Sequence, residues 1–166
     1  MYIEGGQSAI VDALYLSAEK VLQRQKVHPA GRYALILLSD GEERSSFYTY
    51  TQLKSQLKDT NTQVFMISYA SVFENRRTWK KAVNFANQIT LDTGGTPYFI
   101  NKKTRKEAII KIFKAIILEL RSPYIVSYIS TNQKHDGKKR DLRIEIANRA
   151  DGKKRRVFSR SNFTVP

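Results

Sequence analysis

Two uninterrupted apolar runs, "YALILL" at 33–38 and the centre of "TQVFMISYA" at 62–70, set the tightest limit on this fold. A strand that is apolar on both faces has to be covered on both faces, and helices packed on a parallel sheet do this. The segments around the runs carry helical periodicity. Residues 7–26 place Ile10, Leu14, Val21 and Leu22 on one stripe and end at "HPAG". Residues 48–58 form a weaker helix. Residues 76–91 carry Trp79, Val83, Phe85, Ala86 and Ile89 and stop at the glycines of "DTGG", and residues 106–120 are strongly amphipathic. A short third strand, "TPYFI", lies between the last two helices. Alternation of helix and strand predicts an α/β, Rossmann-like, doubly wound and mostly parallel sheet.

The remainder changes character. "SPYIVSYIST", "RDLRIEIAN" and "KRRVFSRSNF" read as strands, with the Asp136-Gly137 and Asp151-Gly152 pairs as turn signals. The expected division is an α/β part over 1–122 and a basic antiparallel β extension over 123–166, packed on it or continuing from it. The sheet is short of strands for its four helices, and the chain opens on a helix where a strand normally comes first. The expectation is a domain incomplete at its N-terminus, which leaves apolar surface uncovered.

The first run leads into "SDGEE", so Asp40, Glu42 and Glu43 stand at the mouth of a buried strand in a chain of net charge +14. Half of that excess lies between residues 131 and 160, where eleven Lys and Arg face four acids. A solvated basic face explains this, and so does affinity for a polyanion. Absent Cys excludes disulfides, thiolate metal sites and a Cys nucleophile. Ser39 has neither a nucleophile elbow nor a nearby His, and "DTGGTP" precedes a strand, where a phosphate loop would precede a helix. His28 and His135 lie in turn-like contexts, Asp12 suits a helix N-terminus, and Trp79 with the Tyr and Phe residues falls mostly on core faces. No constellation points to an enzyme.

Strand ends of open α/β sheets are where ligands bind, and an Asp there can hold a divalent cation. "GGQSAIVDAL" followed by "LLSDGEE" resembles the von Willebrand factor A domain, and more closely its bacterial branch, in which "GGTALYDAL" precedes "LVLLSDGED". "VFMISYA", "LDTGGTPYFI", "ILELRSPYIVSYIST" and the closing "DGKKRDLRIEIANRADGKKRRVFSRSNFTVP" extend the resemblance over nearly the whole chain, which covers the C-terminal half of the family's domain.

The resemblance implies a non-catalytic protein-binding or adhesion module with a metal-ion-dependent adhesion site. Asp40 matches its strand-end Asp and Ser8 its helix-start Thr, with Gln7 an insertion in the family's Gly-Thr step. Ser39, Glu42 and Glu43 would form the partner-binding rim. Mg²⁺ or Mn²⁺ would take its last ligand from an acidic residue of a protein partner. The family's Asp-x-Ser-x-Ser loop, which carries most of the ligands, occurs nowhere in the sequence, so the site is expected to be incomplete on this chain. A homodimer that covers the uncovered apolar surface is a second expected association. The resemblance favours the cell envelope, the periplasm or secretion. The rival reading is nucleic-acid or other polyanion binding by the basic tail, through Lys138, Lys139, Arg140, Lys153, Lys154, Arg155 and Arg156. Steep salt dependence without EDTA sensitivity would mark that rival; metal-bridged binding would show the reverse.

Overall fold

The computed structural model describes residues 8–29, 31–60, 62–69, 71, 75–121, 129–132, 134, 136–146, 157 and 162–164. Helix α1 (Ile10–Val27) leads into β1 (Ala34–Ser39), then α2 (Tyr50–Thr60), β2 (Gln63–Ser68), α3 (Arg76–Thr93), β3 (Pro97–Phe99) and α4 (Lys106–Arg121). The three strands form one parallel sheet in the order β1-β2-β3, in register from Ala34 opposite Gln63 to Ser39 opposite Ser68. The expected alternation of helix and strand is therefore observed, as a three-stranded parallel sheet flanked by helices. Among the described residues no helix is long and apolar enough to cross a membrane.

β2 is the centre, and its side chains alternate between two layers. Val64 and Met66 face the layer of α1, α2 and α3, with Leu14, Ala18, Leu53, Leu57, Ala86 and Ile89 buried around them. Phe65 and Ile67 face the other way, onto Ile116 of α4. All four β2 residues are at most 1% exposed, and each such side chain contributes roughly 1.5–3 kcal/mol by leaving water.

Polar links then fix the layers. The Val64 N–H donates to Thr93 Oγ1 at 3.0 Å, and Gln63 donates to the Gly94 carbonyl, tying the end of α3 to the start of β2. Gly94 closes α3 in the left-handed region at φ 76°, the glycine stop that the sequence predicts. Between α2 and α3, Asp92 accepts from Lys54 Nζ at 2.7 Å and from the Tyr50 hydroxyl at 3.0 Å. Burial, then the charge of Asp92 and the hydrogen bond to it, push the Tyr50 phenol well above its ordinary value.

Phe65 is buried and Tyr15, Tyr48, Tyr50, Phe85 and Tyr98 pack against the core, as expected of the aromatic set, but four members depart from it. Trp79, Phe99 and Phe113 are exposed, and Phe47 is 85% exposed. Trp79 shares α3 with Ala82, Ala86 and Ile89, but it is the small residues and Ile89 that turn inward.

In the tail, β4 (Lys139–Asp141) pairs antiparallel with β5 (Asn162–Thr164). Asp136 Oδ1 accepts from the Lys138 N–H and Gly137 takes φ 66°, so this pair makes a turn. The strand expected from Arg140 onward is assigned only to Asp141. The expected strand at 122–131 lies mostly outside the described residues, as do the second turn at 151–152 and His135.

Candidate functional site

The C-terminal mouth of β1 is built by the loop 40–49. The Ser39 carbonyl accepts from the Tyr69 N–H at 2.9 Å, so β1 and β2 end together, and Asp40 is the first residue beyond the pairing. The Ser39 hydroxyl points to Asp40 Oδ1 at 3.4 Å, and the same oxygen accepts from the Glu42 N–H at 3.1 Å. Gly41, buried, holds φ 86°, where a side chain is strained. A Cβ there would also stand 3.1 Å from Ala82 Cβ and 3.3 Å from Met66 Cε. The glycine of "SDG" is thus set by packing between the sheet and α3.

The loop is strapped to the start of α1 by two carboxylates acting in opposite directions. The N-cap position of α1 is Ala9, which has no side chain to satisfy the first N–H groups. Glu43 does so from another part of the chain: Oε2 accepts from the Val11 N–H at 2.8 Å, while Oε1 accepts from the Ser45 and Ser46 N–H groups. In return, Asp12 in the first turn of α1 accepts from the Phe47 and Tyr48 N–H groups at 2.9 and 2.8 Å. The Ser46 hydroxyl accepts from the Asp12 N–H at 3.1 Å, and the Tyr15 and Tyr48 rings stack with centroids 3.8 Å apart. Partial burial pushes the Glu43 carboxyl up. Hydrogen bonds from Val11, Ser46 and Ile10 outweigh it and hold the group below the ordinary carboxylate range.

These contacts place each expected site residue. Ser8 is joined to the loop through its carbonyl, which accepts from the Arg44 N–H at 2.9 Å. Asp40 stands at the strand mouth as expected. Glu42 is paired with the Arg44 guanidinium, Glu43 faces the α1 N-terminus, and Ser39 bonds within the turn, its Oγ also accepting from the Gly41 N–H. Opposite Ser39, the Ser68 hydroxyl is fully buried and has no hydrogen-bond partner among the described residues.

Mg²⁺ takes close to six oxygens, commonly one or two carboxylates with waters or other donors. Among the described residues at the mouth, Asp40 is the carboxylate that makes no ion pair and caps no helix, although it lies within electrostatic reach of Arg44 and its Oδ1 already accepts from the Glu42 N–H. Ser8, Ser39 and Ser68 add hydroxyl groups of the right type. Among the described residues no three His, Cys, Asp or Glu side chains converge on one point. These donors alone do not make a resident cation site.

Sequence reasoning placed Glu43 on a rim and Asp12 on a dipole, and missed that they strap the loop. The available signal was the helix start without a capping side chain at Ala9. It also missed a groove of about 580 Å³ beside the strap, between the loop and α3. Tyr48 and Tyr50 line it from the loop and the start of α2, and Lys81, Asn84, Phe85 and Gln88 line it from α3. The signal here was the i, i+3, i+7 spacing of three polar residues on α3.

In the tail, Arg140 is committed: its guanidinium donates to the Asn132 and Lys134 carbonyls and to Asp136. Lys138 is exposed, nothing is described of the Lys139 side chain, and Lys153, Lys154, Arg155 and Arg156 lie outside the described residues. No family model, curated protein or solved structure matches this chain.

Proposed function

We propose that this chain is a non-catalytic protein-binding module of the von Willebrand factor A type, which engages its partner at the C-terminal edge of the parallel sheet. The observation that carries the reading is the mouth of β1. Asp40 follows the last paired residue of β1, on a turn fixed by Gly41, in a loop whose backbone is held to Ser8 and α1. A strand end held in place, with a carboxylate whose Oδ1 is fixed by the turn and which makes no ion pair among the described residues, suits recognition. Among the described residues no nucleophile with its base stands there to suit catalysis. Dependence on Mg²⁺ or Mn²⁺ belongs to this reading only if oxygens from outside the described residues complete the shell around Asp40 and Ser8.

Calorimetric titration with Mg²⁺ and Mn²⁺, run beside Asp40→Ala, tests the metal-dependent form. Saturable heat that the variant abolishes supports it. Absence of binding removes the cation from the reading and leaves direct protein contacts.

A second association has its own observation. Among the described residues β1 is an edge strand, with Ile36 and Leu38 at 47% and 67% exposure, and on α4 Ile117 and Leu118 are 51% and 66% exposed. An open strand edge beside apolar surface favours pairing with a second copy of the chain. Sedimentation velocity over a concentration series is expected to show reversible dimers that Leu38→Lys weakens; a monomer at all concentrations would rule this association out.

A further inference from the structure

From the groove between the loop 43–50 and α3, we infer that the module binds an extended acidic peptide segment there, lying along α3. The inference rests on the protein-binding reading and adds the partner's chemistry and place. Arg77, Lys81, Asn84 and Gln88 form one stripe of α3 by their spacing of four, three and four residues, and all four are exposed. No ion pair or side-chain hydrogen bond engages Lys81, Asn84 or Gln88 among the described residues. The stripe thus offers two cations and then two free amides.

Charge selects the occupant. The first six residues of α3 include Arg76, Arg77, Lys80 and Lys81, and its first turn holds no acid. Cations at the positive end of a helix dipole are unfavourable, so an anionic occupant relieves them. Of the charged groups lining the groove, Arg44 is paired with Glu42 and the Glu43 carboxylate, though still charged, is turned away onto the N–H groups of Val11, Ser45 and Ser46. This leaves Lys81 as the lining charge with no hydrogen-bond or ion-pair partner among the described residues.

Dimensions favour a peptide. Asn84 and Gln88 are one helical turn apart, about 6 Å, close to the roughly 6.7 Å between peptide groups on the same side of an extended chain. A side-chain amide both donates and accepts, as a peptide unit requires. From Lys81 to Gln88 the stripe runs about 10 Å, the reach of about three extended residues, and Phe85 with Tyr48 gives an apolar side chain of that segment a wall to pack on.

The test uses the whole chain and a fluorescein-labelled peptide of alternating glutamate and leucine, about six residues long, in EDTA at ~150 mM salt. Fluorescence anisotropy is expected to show saturable binding, weakened about tenfold or more by Lys81→Glu and severalfold by the double change Asn84→Ala with Gln88→Ala. Amide shifts in an NMR titration should fall on 81–88 and 43–48. All three side chains are exposed, so circular dichroism and melting should match the parent. No saturable binding, or binding indifferent to both variants, would overturn the inference. Equal binding of a short oligothymidine with the same Lys81 dependence would overturn it too, because the surface would then be a phosphate-tracking one. Binding that ignores Lys81→Glu but is lost in EDTA and in Asp40→Ala would overturn the groove and leave the protein-binding reading standing.

Discussion

The two faces of the sheet are finished to different degrees. On the face of α1, α2 and α3, eight buried residues pack around Val64 and Met66, and the Lys54–Asp92 ion pair and strand-to-helix hydrogen bonds lock the layers. On the α4 face the buried set is Phe65, Ile67 and Ile116, and Ile110, Phe113, Ile117 and Leu118 of the same helix remain exposed. Among the described residues the first face holds most of the buried core. The second, with the unpaired edge of β1, has among the described residues the composition of a core but not its coverage, so its energy depends on what comes to lie against it. The candidate binding features, Asp40 and the groove along α3, belong to the edge and flank of the finished face, where their geometry is held independently of any partner.

The difference can be broken most forcefully by truncation on each side. Leu53→Ala, at a fully buried position, should cost about 2–5 kcal/mol in denaturant unfolding, whereas Leu38→Ala on the open side should cost no more than about 0.5 kcal/mol. Similar losses at the two positions would mean that the open face is not open. Next in size, Asp12→Ala takes the acceptor from the Phe47 and Tyr48 N–H groups and should lower stability by about 1–2 kcal/mol, with amide exchange rising at 43–48.

The smallest effects are in pH dependence, where one carboxylate from each side has the opposite sign. Glu43 has a lowered folded pKa, so its contribution is present above the unfolded value of 4.5 and is lost as pH falls through the folded one. Glu43→Gln should therefore destabilise at pH 7 by about 1 kcal/mol, the worth of a cap, and the difference should fade in acid. Glu119, on α4 beside Thr96, has a folded pKa raised by burial, only partly offset by the Thr96 hydrogen bond. Its stability is greatest below 4.5 and is lost as pH rises through the folded value. Glu119→Gln should thus be slightly more stable than the parent at pH 7, with the advantage gone in acid. Melting curves of both variants from pH 7 downward check the signs.

Much of this architecture was legible in the sequence because apolar runs and helical stripes are local signals. The strands at 34–39 and 63–68, and the glycine stop at Gly94, fall within a residue or two of expectation. The start of α1 at Ile10 was less legible, since its cap comes from Glu43, 32 residues away. A bond across that separation leaves no periodicity to read. Asp40 could be placed at the strand mouth from "LLSDG" alone, whereas the roles of Glu43 and Asp12 and the groove along α3 required the packing of a loop on two helices. Trp79 went astray because helical spacing gives a face but not which residues on it turn inward once small side chains let α3 approach the sheet.

Backbone amide exchange along β1, measured by NMR on dilute protein, tests most directly the claim that the sheet is closed on one face and open at one edge. Amides of 64–67 should exchange only with global unfolding, while in 34–39 the amides directed at β2 are slow and the alternate ones, directed outward, exchange far faster. Uniform slow exchange along 34–39 would contradict the account, because another strand would then have to cover that edge.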